Sequence, residues 1–105
     1  MRNLGGMMKK VQDMQARMEE MTKEIDASRF QSSVGGGAVI ATLSGKGEVV
    51  DLVIADELLA DGEAVAELVM LAVNNAKSEA DTKKADALKQ LTGGLPLPPG
   101  LSLPF

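Results

Sequence analysis

From Leu4 to Ile25 the apolar residues advance in alternating steps of three and four: Leu4, Met7, Val11, Met14, Met18, Met21 and Ile25. That alternation is a seven-residue repeat, with Leu4, Val11, Met18 and Ile25 at one seam position and Met7, Met14 and Met21 at the other. It predicts a coiled-coil-like helix over residues 1–26 with a narrow apolar stripe. Such a helix is marginal in water on its own, so the stripe must pack against something. Methionines also suit an adaptable groove for varied targets. The regular register favours a self-packing seam instead, in the core or between two copies.

Beyond Ile25 the period changes. Residues 28–34 are polar apart from Phe30 and Val34, a triple glycine (Gly35, Gly36, Gly37) follows, and Ala38 to Leu43 reads as a strand. Ser44-Gly45-Lys46-Gly47 is a turn signal before a second β-rich run, Glu48 to Ile54. A two- or four-residue loop there sets Leu43 opposite Glu48, Ala41 opposite Val50 and Val39 opposite Leu52. One face then carries Val39, Ala41, Leu43, Val50, Leu52 and Ile54 and is the expected core face, while Ile40, Thr42, Val49, Asp51 and Val53 turn the other way. A three-residue loop is rejected because it would bury Asp51 without a partner.

Asp61 fits an N-cap, with Glu63 in the first turn where the helix dipole favours an anion. The stripe of this second helix is Val65, Leu68, Val69, Ala72, Val73, Ala76 and Ala80. Its later part is polar and lysine-bearing, anchored by Leu88 and Leu91 and stopped at Gly93-Gly94. The expected fold is α+β, one domain over residues 1–94: helix 1–26, two or three antiparallel strands over 28–55, and a helix over 61–92. Prolines make residues 95–105 an extended Leu/Pro tail.

Composition removes much chemistry. Cys, His, Trp and Tyr are absent, so there is no thiolate or imidazole metal ligand, no Ser-His or Cys-His pair, no disulfide and no usual stacking platform for single-stranded bases. The triple glycine precedes a strand, whereas phosphate cradles follow one and open a helix, so it reads as a bulged strand connection. Asp56, Glu57, Asp61 and Glu63 lack the ligand spacing of a calcium loop and read as a solvated loop and helix start. No constellation supports an enzyme, and no metal, cofactor or small-molecule substrate is expected. The uncharged stretches, Phe30 to Gly45 and Gln90 to Phe105, are broken by Gly, Ser or Pro, which argues against a membrane span or targeting signal and for a cytoplasmic location.

The charge is unevenly spread. The total is 11 basic against 15 acidic residues, a net −4, which by itself argues against nucleic acid. Yet up to Arg17 the chain holds Arg2, Lys9, Lys10 and Arg17 against Asp13 alone, and from Gly45 to Glu67 it is strongly acidic. A chain polarised in this way is able to bind an anion at one end while acidic overall. From charge alone the cations read either as a solubilising helix surface or as a phosphate-contacting edge doubled by dimerisation. The PxxP spacing in Pro96-Leu97-Pro98-Pro99 is also a peptide-ligand pattern.

Taken in order, several segments resemble the YbaB/EbfC family of bacterial nucleoid-associated proteins. They are Gly5-Gly6-Met7-Met8-Lys9-Lys10, Val34 to Leu43 with its triple glycine, Ser44-Gly45-Lys46-Gly47-Glu48-Val49, Ile54 to Leu59, Leu71-Ala72-Val73-Asn74-Asn75-Ala76, Leu91-Thr92-Gly93-Gly94 and Leu97 to Phe105. Each is short, and their ordered conjunction spans essentially the whole chain. Where the family often has Asp-Pro-Ser, Ala55-Asp56-Glu57 stands here, so a differently shaped loop is expected. The resemblance implies a small α/β subunit in an intertwined, tweezer-like homodimer that binds duplex DNA with little sequence specificity, alters its conformation and contributes to nucleoid organisation or gene regulation. Charge and placement assign the phosphate contacts to Arg2, Lys9, Lys10 and Arg17, with the acidic middle facing away. The alternative is a non-enzymatic protein-interaction module that uses the Met-rich helix or the Pro-rich tail.

Overall fold

A computed structural model describes residues 4–92 of the chain; Arg2, the tail 95–105 and the side chain of Leu4, all assigned roles above, lie outside the described part. Helix α1 (Leu4–Ala27) is followed by strands β1 (Arg29–Val34), β2 (Val39–Ser44) and β3 (Val49–Ile54), a 3-10 turn (Asp56–Leu58), and helix α2 (Gly62–Thr92). The strands form one antiparallel sheet in the order β1-β2-β3. Of the two or three strands expected, three form.

Glycine conformation explains the β1–β2 connection. Gly35, Gly36 and Gly37 have φ of 63°, 67° and 91°, a succession in the left-handed region that side chains with a Cβ resist. The triple glycine is therefore the tip of a hairpin, with Val34 paired to Val39 across it, rather than a bulge within the ladder.

The β2–β3 register differs from expectation by two residues. Ala41 faces Leu52 and Val39 faces Ile54, and an irregularity between Thr42 and Leu43 sets Leu43 against Val49. The Ser44 hydroxyl accepts hydrogen bonds from the amides of Lys46 (3.2 Å) and Glu48 (3.3 Å), and the Ser44 amide donates to the Glu48 carbonyl at 2.8 Å. This serine-tied turn takes up Glu48, and the irregularity absorbs the remaining offset. A shift of two preserves parity. Leu52 and Ile54 thus still share a face with Ala41 and Val39, and Asp51 still turns away beside Thr42.

The core lies between α2 and the sheet. Val39, Ala41 and Leu43 pack with Ala72 and Ala76, and Phe30, Val34, Leu68, Val69 and Val73 close the margins. Alanines on α2 bring the helix backbone close to the strands. The Asp61 carboxylate accepts the Ala64 amide at 3.1 Å and caps the helix as expected. On β3 only Ile54, at the end of the strand, packs against the core: Val50 and Leu52 are 45% and 40% exposed, and Val49 and Val53 are 49% exposed. A helix about 10 Å across covers about two strands spaced about 4.8 Å apart, and α2 lies over β1 and β2.

The α1 seam divides in the same manner. Its C-terminal half packs antiparallel against the end of α2, with Met18 and Ile25 buried and Met14 and Met21 half-buried. Met7 and Val11 remain 63% and 43% exposed, because α1 continues past Leu91, the last described side chain of α2. The seven-residue repeat is thus a core seam over one half only. At the other end of α1 the Ile25 carbonyl meets buried Gly45, where a Cβ would collide with it. The result is an elongated molecule, 72 × 20 × 19 Å.

Candidate nucleic-acid interface

Lys9 and Lys10 are exposed on the first half of α1, and Arg17 is exposed just past its middle. Lys10 and Arg17 stand seven residues apart, two helical turns, and line one open groove of about 610 Å³ with Asp13, Met14, Glu20 and Leu91. Lys9 is on another side of the helix and does not line that groove. Two of the described candidates therefore converge and the third stands apart. Among the described residues the one ion pair is Lys77–Asp81, at 3.1 Å on the exposed surface of α2. Asp13 and Glu20 moderate the field around Lys10 and Arg17, but neither closes to salt-bridge distance. Exposed cations without an intramolecular partner remain available to an external anion at little desolvation cost.

The antiparallel packing of the helices adds cations that sequence reasoning assigned merely to a polar helix end. Lys83 lines a second groove with Met21, Glu24, Ile25 and Asp86, and Lys89 is exposed in the last turns of α2. The sequence did carry a signal, the change of α2 from apolar to lysine-bearing after Ala80. What it lacked was the knowledge that this end returns alongside α1.

A further group of acidic residues lies elsewhere. Asp56 and Glu57 form the 3-10 turn, and Asp61 and Glu63 start α2, at the end of α2 remote from the groove that Leu91 shares with Lys10 and Arg17. No group of three or more potential metal ligands occurs among the described residues, and no described helix is long and apolar enough to cross a membrane. Asn74 and Asn75 are both exposed; Asn75 borders a shallow groove with Ser32, Ser78 and Thr82.

Comparison with known proteins identifies the family. Residues 1–95 match the YbaB/EbfC DNA-binding family. The chain is 42% identical over 107 aligned residues to a nucleoid-associated protein of Rhizobium meliloti (strain 1021) and 41% identical to one of Brucella ovis, in each case over the full length of both chains. The fold is similar to that in the crystal structure of an uncharacterized protein from Helicobacter pylori, with a TM-score of 0.78 at 24% identity, covering 87% of this chain and 98% of that one.

Proposed function

The chain belongs to the YbaB/EbfC DNA-binding family, and from that premise we propose that it is a nucleoid-associated protein whose homodimer holds duplex DNA through the basic start of α1. One observation carries the assignment: in a chain of net charge −4, Lys9, Lys10 and Arg17 are exposed and without an ion pair, while the acid-rich turn lies at the far end of α2. Contacts of this kind release counterions from phosphates and carry little sequence information. Any sequence preference then comes from DNA shape. The family is a DNA-binding one rather than an enzyme class, and the bacterial nucleoid, as in the names of the relatives, is the location this reading gives.

Dimerisation uses β3. This strand is an open sheet edge that bears Val49, Val50, Leu52 and Val53 on its two uncovered faces. An apolar edge of that kind invites pairing with another strand, and a twofold partner closes it without leaving a further edge to propagate. The second copy also doubles the cationic segment, which offsets the acidic total at the DNA. Replacing Val50 and Leu52 together by Lys is expected to give a monomer in sedimentation equilibrium and to lower DNA affinity; a dimer that persists would place the interface elsewhere.

The functional reading is tested by fluorescence anisotropy of a labelled duplex of about 30 base pairs, titrated at several salt concentrations beside a scrambled duplex. With roughly 4 to 6 phosphates neutralised per dimer, the logarithm of affinity should fall against the logarithm of salt with a slope of about −4 to −5, nearly alike for both duplexes. Absence of binding at micromolar protein in low salt would instead favour a protein-interaction module.

A further inference from the structure

The first turns of α1 carry more than charge. Met7 and Met8 are 63% and 64% exposed, and with Val11 and Gln12 they line an apolar surface near the projecting end of the helix. Helical spacing arranges the flanks. Lys10 follows Met7 by three residues on one side, with Arg17 two turns further on. Gln12 follows Met8 by four on the other side, and Gln15 follows Val11 by four. An apolar strip is thus bordered by cations along one edge and by amides along the other.

We propose that Met7 and Met8 form a wedge that enters a base step of bound duplex DNA, so that α1 kinks the duplex as well as holding it. This inference rests on the DNA-binding reading above and adds the residues that deform the DNA. Proteins that bend DNA from the minor groove combine Arg, Lys, Asn or Gln at the backbone and base edges with an apolar side chain, Met among them, that partly unstacks a step. Methionine is long, unbranched and conformationally adaptable, so it reaches into a narrow gap without a fixed shape to match.

Charge complementarity selects DNA over a second copy of α1 as the occupant. Residues 4–12 hold Lys9 and Lys10 and no acid, so a second copy of these turns would add only like charge at the strip, whereas a duplex brings phosphates on both sides of the opened step. Lys10 and Arg17 take phosphates along one side of the strip, and Gln12 and Gln15 donate or accept at sugar and base edges on the other. Flexible pyrimidine–purine steps, which open most readily, are the favoured sites.

The test uses the full-length protein with Met7 and Met8 both changed to Ala, and a second variant with both changed to Leu. Alanine is the best helix former and both positions are exposed, so folding should be retained. The duplex carries a fluorophore pair at its ends and 2-aminopurine at a TA step. Wild-type protein is expected to shorten the end-to-end distance by a bend of about 20–90° and to raise 2-aminopurine fluorescence on binding. The alanine variant should lose most of both signals while its affinity stays within about threefold, because phosphate contacts supply most of that affinity. The leucine variant should retain both.

A bend unchanged in the alanine variant overturns the wedge, as does wild-type protein that binds without bending. Loss of self-association by the alanine variant in sedimentation would make the strip an interface between copies and would likewise overturn it. Failure of wild-type protein to bind the duplex at all rejects the DNA-binding reading itself, and is told apart from the other outcomes by the anisotropy of the same samples.

Discussion

The two helices have comparable lengths and each carries an apolar stripe, but they engage the fold differently. Along α2 the stripe is continuous: Ala72, Ala76, Ala80 and Ala87 are all buried, the first two against the sheet. Along α1 only the second half is engaged, through Met18 and Ile25, and the first half carries Met7, Met8 and Val11 into solvent beside Lys9 and Lys10. Small side chains draw α2 onto the sheet and fix the architecture. Long methionines and unpaired lysines leave the start of α1 as a display surface. The buried contacts and the proposed DNA-contacting lysines Lys9 and Lys10 therefore lie in different parts of the molecule.

That contrast is open to attack from its strongest point downward. Leu43 is among the largest fully buried side chains, and Leu43→Ala is expected to destabilise the protein by about 2–5 kcal/mol in urea unfolding, through lost transfer energy and the cavity left behind. A cost near zero would mean that the β2–α2 contact is not the centre of the fold. Next is Gly45→Ala, which drives a methyl group into the Ile25 carbonyl. Overpacking at a backbone contact costs about 1–3 kcal/mol, and the second half of α1 should loosen with it, read as faster amide exchange around Met18 to Ile25. The smallest effect is expected from Met7→Ala, whose side chain is mostly in water: a change within about 0.5 kcal/mol. A large loss there would show that the first half of α1 belongs to the stable core after all.

Much of this architecture was legible in the sequence because it depends on local periodicity. Alternation along residues 39–43 and 50–54 placed Leu52 and Ile54 with Ala41 and Val39 even though the pairing was off by two, since parity survives such a shift, but the irregularity beside Leu43 sets Val49 against it where Val50 was expected on that face. The Ser44 hydroxyl that ties the turn leaves no periodic trace, and that is where the register was lost. Parity also says nothing about coverage: Val50 and Leu52 alternate as core residues do, yet one helix is too narrow to cover them. The seven-residue repeat likewise runs unbroken through Met7 and Ile25, and only the antiparallel return of α2 decides which part is buried. The spacing of Lys10 and Arg17 was visible along the helix, whereas the approach of Lys83 to α1 depends on tertiary packing.

The most direct test of charge polarity as the source of DNA binding compares two variants in one anisotropy titration. One replaces Lys9, Lys10 and Arg17 by Gln, and the other replaces Asp56, Glu57 and Glu63 by Gln, with circular dichroism and sedimentation confirming that both keep their fold and mass. Loss of the three cations should weaken binding at least tenfold at 0.1 M salt and flatten the salt dependence, while loss of the distant acids should leave affinity unchanged or modestly higher. Equal binding by both variants would contradict the assignment of phosphate contacts to the start of α1.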